Sequence, residues 1–180
     1  MSTRALATVV VMLVMSAPTW AADRENLAIF RDVSRQVLRY PHFTIFDSVH
    51  AEIREGVVTL SGRVTMPYKS KDIARRVATV EGIHQVRNEV TVLPVSQFDD
   101  ELRLRIARAI YGNPHFWNYG VMVNPPIHII VENGHVTLDG VVNNNMDRMI
   151  ARSIASSFTA FSLTNDLKTD AEVEADLERL

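Results

Sequence analysis

Apolar residues recur along the chain with two alternating periods, and the periods change in a fixed order. A spacing of four residues, which places side chains on one helix face, is followed by strict alternation, which is typical of a strand with one buried face. The helical spacing occurs at Ile29, Val33 and Val37, and the alternation at Val49, Ala51 and Ile53. A turn, a second strand, a second helix and a third strand follow, which predicts an αββαβ unit.

This order of elements occurs twice. The segment Gly56–Gly62 (GVVTLSG) returns 78 positions later as Gly134–Gly140 (GHVTLDG), and Pro41–Phe43 returns 73 positions later as Pro114–Phe116. Matches in one order with a nearly constant offset indicate two copies of one structural unit, each of about 70 residues.

The predicted fold class is α+β, with two repeated αββαβ modules, each a three-stranded sheet with two helices on one face. The second helices are expected to bury Ile73, Val77 and Val80 in the first module and Ile150, Ile154 and Phe158 in the second. The closing strands are predicted at residues 86–92 and 163–169. The predicted helix N-caps are Asp23, Ser96 and Asn145.

Four glycines stand where the hairpins need unusual backbone geometry. The pairs Glu55-Gly56 and Asn133-Gly134 predict two-residue turns whose central residues have positive φ. The spacing of Gly56 and Gly62 loosely suggests a phosphate loop, but no Lys-Ser/Thr pair follows and strand-forming residues intervene. We interpret Gly56, Gly62, Gly134 and Gly140 as structural turn glycines.

The two ends of the chain differ from the modules. Arg4, an apolar run over 5–15 and the small residues around Trp20 predict a secretory signal peptide cleaved after Ala21, with Ala22 as the alternative. The run is shorter than the roughly 20 residues of a membrane-spanning helix. The predicted segments are residues 1–21 (signal peptide), 22–93 (first module), 94–97 (linker), 98–170 (second module) and 171–180 (acidic tail, a short helix).

Composition narrows the chemistry. The absence of cysteine excludes disulfides, thiolate zinc sites and cysteine nucleophiles. Residues 23–96 carry 11 basic and 9 acidic side chains, residues 97–170 carry 6 and 8, and the tail carries 1 and 4, so no global basic field for nucleic acid exists. Ser61 lacks the setting of a nucleophile elbow, and its counterpart is Asp139. We predict no catalytic residue, metal site, cofactor or small-molecule substrate.

The repeated pattern resembles a tandem of BON domains. The resemblance is carried by the Pro-x-Phe turn, the GVVTLSG segment, the helix with Ala74 and Arg75, and the closing Val-x-Asn-x-Val strand, and it covers residues 24–93 and 98–169. It implies non-catalytic modules of the bacterial envelope, with phospholipid as the usually proposed ligand and the periplasm as the location. Many such proteins carry a lipid on an N-terminal cysteine; this chain has none, which implies peripheral contact.

Two features are candidates for contact with a phospholipid membrane surface or an envelope protein. One is the basic set Lys69, Lys71, Arg75 and Arg76, which would attract anionic lipid, or would form an ordinary solvated helix face. The other is the segment 117–126, which is five residues longer than its counterpart 44–48 and offers Trp117, Tyr119 and Met122 as contacts. Val121 and Val123 are expected to extend the next strand. The two predicted functions are peripheral phospholipid association and an adaptor or scaffold for an envelope complex.

Overall fold

The computed structural model describes the backbone of residues 19–177 and the side chains of residues 27–177. The first module contains α1 (Thr19–Leu38), β1 (Ser48–Arg54), β2 (Val57–Val64), α2 (Pro67–Val77), β3 (Gln85–Asn88) and β4 (Thr91–Val92). The second contains α3 (Gln97–Tyr111), a 3-10 turn (Pro114–Phe116), α4 (Trp117–Gly120), β5 (Ile127–Glu132), β6 (His135–Val142), α5 (Asn145–Ala155), β7 (Ser162–Thr169) and α6 (Asp170–Leu177). The predicted α+β class with two repeated modules is confirmed.

Each module is built on a mixed sheet with the second strand of its hairpin in the middle. In the first, β1 pairs antiparallel with β2, and β3 and β4 both pair parallel with β2. The register is the same on both sides of the gap between β3 and β4, since Leu60 pairs with Asn88 and Arg63 with Thr91. These two short strands are therefore one interrupted third strand. In the second module the order is β5-β6-β7, with β7 unbroken.

The glycines stand at turns and at close backbone approaches. Both hairpin turns have two residues with positive φ, 50° and 72° at Glu55 and Gly56, and the second turn repeats this geometry. A Cβ added to Gly62 would lie 2.2 Å from the carbonyl oxygen of Ser48. The backbone of the paired strand β1 therefore leaves no room for a side chain here, and the φ of 121° at Gly62 also favours glycine.

The apolar faces of each module meet in a separate core. The first core is formed by α1, α2 and the sheet around Val33, Leu60 and Ile73. In the second, the centre of α5 is Ala151 and Ala155. The predicted face of Ile150, Ile154 and Phe158 is only partly buried. The second helices of the two modules, α2 and α5, align at the same 78-residue offset as the hairpins. Ile73 therefore corresponds to Ala151 and not to Ile150, and the smaller alanines occupy the central positions.

The predicted helix starts had mixed outcomes. Ser96 caps α3, because its hydroxyl accepts a hydrogen bond from Asp99 N at 3.2 Å. The cap of α5 is Asn144 rather than Asn145, one residue earlier than predicted. Asp23 lies inside α1, which begins by Thr19. Most of the predicted signal peptide falls outside the described residues. No helix in the described range is long and apolar enough to cross a membrane.

The two modules contact each other directly. The segment before β1 lies along the outer edge of β5, where Ile129 N donates to the carbonyl oxygen of Ile45 at 2.7 Å. Ile45 and Phe46 pack against the core of the second module. Arg63 of β2 forms an ion pair with Glu132 of β5 at 3.0 Å. Backbone, apolar and charged contacts therefore join the modules.

Candidate functional site

The inserted segment of the second module begins on a rigid base. Asn113 caps the 3-10 turn by accepting a hydrogen bond from His115 N at 2.9 Å. Phe116 is fully buried, and its ring stacks on that of Tyr119 at 5.8 Å between centroids. The start of the segment is therefore part of the second core rather than a loose loop.

Tyr119 and Asp147 anchor this segment through buried polar contacts. The Tyr119 hydroxyl donates to Asp147 Oδ2 at 2.6 Å and accepts from Asn143 N at 2.8 Å, while His115 Nε2 lies 2.8 Å from Asp147 Oδ1. Burial, together with the bond to Asp147, raises the pKa of Tyr119 to about 12. Burial alone would raise the pKa of Asp147, but hydrogen bonds from Tyr119 and His115 lower it overall.

Tyr119 is thus a buried anchor and not a surface contact. Only 4% of its surface is exposed, which corrects the expectation that it meets a membrane or a partner. The sequence pattern placed Tyr119 in an insertion rich in apolar and aromatic residues. It did not show the buried carboxylate 28 residues later that binds its hydroxyl.

In the first module the equivalent position holds a buried ion pair. Lys69 Nζ lies 2.6 Å from Asp47 Oδ2, and Asp47 also accepts from the backbone N–H groups of Thr44 at 2.9 Å and Thr65 at 2.8 Å. Burial would raise the pKa of Asp47, but the bonds from Lys69 and Thr65 lower it overall. Lys69 is 4% exposed, so its predicted place on an exposed basic face is wrong.

The two buried clusters occupy matching positions with opposite charge. Asp147 stands 78 residues after Lys69, and Asn143 stands 78 residues after Thr65. The backbone N–H of Thr65 donates to the Asp47 carboxylate in the first module. The backbone N–H of Asn143 donates to the Tyr119 hydroxyl in the second. The inserted segment therefore supplies the polar group that the second module lacks.

Beyond this anchor the segment projects apolar side chains into solvent. Trp117 is 68% exposed and Val123 is 96% exposed, and Val121 and Met122 are also exposed. We call these four residues the apolar tip. The expectation that Val121 and Val123 extend the next strand is wrong, because β5 begins only at Ile127 after two prolines.

The rest of the predicted basic set is largely engaged within the protein. Arg75 pairs with Asp72 at 3.2 Å. Arg76 donates to the carbonyl oxygen of Gln36 at 3.2 Å, and its guanidinium lies over the Tyr40 ring. Lys71 is exposed. These positions leave one of the four predicted cations without an ion-pair or hydrogen-bond partner in the described range.

A different basic surface lies on α1. Arg31, Arg35 and Arg39 are exposed at intervals of four residues and line a cleft of about 410 Å³ that Asn124 and Leu177 of the second module complete. The spacing was visible in the sequence. The sequence could not show that the inserted segment and α6 of the second module line the other side.

A second cleft, of about 500 Å³, opens between the modules and is polar. Ser48 donates to Asp139, and His50 Nε2 lies 3.0 Å from the same carboxylate oxygen and 3.1 Å from the Ser48 hydroxyl. The hydrogen bond that the protonated His50 ring donates to the Asp139 carboxylate raises the pKa of His50. One ring nitrogen faces both partners, whereas a catalytic triad uses opposite ring nitrogens for the serine and the acid. Within the described residues, no group of three metal-binding side chains occurs.

Comparison with known proteins agrees with the repeat. The family model of the BON domain matches residues 28–94 and again residues 99–171. The chain belongs to the BON domain family. Proteins of this family are generally non-catalytic.

The solved structures that match the chain are distant from it. CdsD, a structural protein of the type III secretion system of Chlamydia trachomatis, is 13% identical over 84% of this chain and 97% of its own, with a TM-score of 0.30. The C-terminal domain of CdsD is 12% identical over 77% of this chain and 96% of that domain, with a TM-score of 0.27. No curated protein sequence matches the chain.

Proposed function

We propose that this BON protein is a non-catalytic envelope module that associates peripherally with phospholipid membranes in the periplasm. The observation that carries the proposal is the apolar tip. Trp117 and Val123 project into solvent from a segment that is fixed to the second core through Tyr119.

Exposure of these side chains costs free energy that insertion would recover. Full burial of an aliphatic or aromatic side chain is worth about 1.5–3 kcal/mol, and contiguous exposed apolar surface is typical of membrane or protein contacts. Tryptophan is favoured at the membrane interface because its ring is apolar and its N–H remains hydrated. The hydrogen bond between Tyr119 and Asp147 fixes the base of the tip to the second core.

The alternative, an adaptor for an envelope protein, would use the same tip. It was also predicted to use the acidic tail. In the described part of the tail, Glu172 pairs with Arg148 at 2.9 Å and Asp176 pairs with Lys168 at 2.8 Å. Both pairs are solvent-exposed and contribute little free energy, so the choice between the membrane and the adaptor rests on the vesicle test.

The test follows the emission of Trp117. A Trp20→Phe variant leaves Trp117 as the only tryptophan, because the chain has two. With vesicles containing phosphatidylglycerol, we expect a blue shift and co-sedimentation. Val121→Ser with Val123→Ser should weaken binding about 100-fold, since two apolar contacts of about 1.5 kcal/mol each are lost.

The matched control is Val95→Ser, which changes a fully exposed valine outside the tip. This variant should bind like the unmodified protein. No blue shift and no co-sedimentation with the unmodified tip would refute membrane association and leave the adaptor. Binding that is unaffected by the two serine substitutions would refute the role of the tip.

A further inference from the structure

We propose that the cleft between α1 and the second module binds the phosphate-bearing head group of one phospholipid molecule. This inference rests on the proposed membrane association and names the residues that recognise the lipid. It replaces the basic set on α2, of which Lys69 is buried and paired.

Among the described residues, the charged side chains that line the cleft are all positive. Its lining is Phe30, Arg31, Ser34, Arg35, Leu38, Arg39, Asn124 and Leu177. Within the part of the chain that the structure describes, this lining holds three guanidinium groups and no carboxylate. Its volume, about 410 Å³, lies in the range of small-molecule sites.

Two of the three arginines are available for an external anion. Arg35 pairs with Asp32 on the same helix. Among the described residues, no acidic side chain forms an ion pair with Arg31 or Arg39. Guanidinium groups bind phosphate oxygens through paired N–H donors and remain charged at every physiological pH.

The remaining lining indicates a lipid rather than a free phosphate ion. Phe30, Leu38 and Leu177 form the apolar part of the cleft. A phosphate ion would gain nothing from these side chains. The glycerol and first methylenes of a phospholipid would remove them from water while the head group contacts the arginines.

The cleft also adjoins the apolar tip. Asn124, which lines the cleft, directly follows Val123 of the tip in the chain. A lipid head group bound at the arginines would therefore lie beside the segment that inserts into the same bilayer. The first module would supply the charge and the second the apolar contact.

The experiment uses dihexanoyl-phosphatidylglycerol below the concentration at which it forms micelles, so that single molecules are measured. Binding to the full chain is followed by calorimetry. Arg31→Gln with Arg39→Gln should weaken binding about 30-fold, since the loss of each cation weakens binding to anionic lipid about fivefold to sixfold. The matched control, Arg108→Gln with Arg152→Gln, makes the same change in net charge at exposed helix positions and should stay within about twofold.

A second variant tests the apolar half of the cleft. Leu38→Gln keeps the arginines and should weaken binding of the lipid, while weak binding of inorganic phosphate stays unchanged. Unfolding curves that match the unmodified protein show that these surface changes leave the fold intact.

The outcomes separate this proposal from the function above. Vesicle binding in which the Arg31 and Arg39 variant equals its control would overturn the cleft and leave the tip standing. Saturable lipid binding that requires both arginines, without any vesicle binding, would support the cleft and refute membrane association. No saturable binding of the short-chain lipid would overturn the cleft directly.

Discussion

Removing the Tyr119 hydroxyl should destabilise the second module and release the base of the apolar tip. Tyr119→Phe keeps the ring and its stacking on Phe116 but deletes two hydrogen bonds. The bond to Asp147 is made to a charged group and is worth about 1.5–3 kcal/mol. The N–H of Asn143 also loses its acceptor, but this residue is exposed and water replaces part of that loss.

We therefore expect a loss of about 2 kcal/mol in the free energy of unfolding, measured with urea. Hydrogen exchange at Asn143 N should accelerate, because its acceptor is gone. The control is Tyr68→Phe, whose exposed hydroxyl makes no hydrogen bond within the described part of the chain, and a change below about 0.5 kcal/mol is expected. Equal effects of the two substitutions would refute the anchor.

Three further substitutions test other parts of the structure. Asp47→Ala should cost about 3–5 kcal/mol in urea unfolding, because Lys69 would stay buried and unpaired, and Lys69→Met in the same chain should recover part of this loss. Burial lowers the pKa of His128 below 6.5, so its contribution to stability is full above pH 6.5 and is lost as the pH falls through the lower folded value. His128→Gln should therefore make stability less sensitive to pH between 7 and 5, as seen in unfolding curves. Gly140→Ala should cost at least about 2 kcal/mol, since its Cβ would lie 1.9 Å from the carbonyl oxygen of Pro126. A near-neutral result for Asp47→Ala or Gly140→Ala, or an unchanged pH dependence for His128→Gln, would contradict the corresponding reasoning.

The repeated elements could be predicted from sequence because each depends on local patterns. Alternation fixes which side of a strand is buried, and the Asn133-Gly134 pair sets the turn and thus the register. The register of α5 was harder. Ile150 and Ile154 are the larger apolar residues, yet the strand and helix geometry places Ala151 and Ala155 at the centre of the core.

The candidate site was less predictable because it depends on partners far apart in the chain. Lys69 has the pattern of a solvated helix residue, and only the fold shows that Asp47 of an earlier loop neutralises it. The arginines of α1 follow a plain helical period. Their relevance appears only when Asn124 and Leu177 from the second module close the cleft.

The longer segment of the second module accompanies a change of charge at one buried position. The first module places Asp47 against Lys69; the second has Pro125 and Asp147 at these positions and needs new donors for the carboxylate. Tyr119 provides one. Replacing residues 117–126 with the five residues 44–48 would bring a copy of Asp47 to face Asp147. The repulsion between the two buried carboxylates should destabilise the module.

Adding Asp147→Lys to this shortened chain restores the ion pair of the first module and should recover stability in urea unfolding. In the unmodified chain the same substitution should be destabilising, because a lysine there would lose the bonds from Tyr119 and His115 and gain no acid. The sign of the effect therefore depends on the length of the segment. If Asp147→Lys destabilised both chains equally, the buried charge would not be the reason that the segment is long.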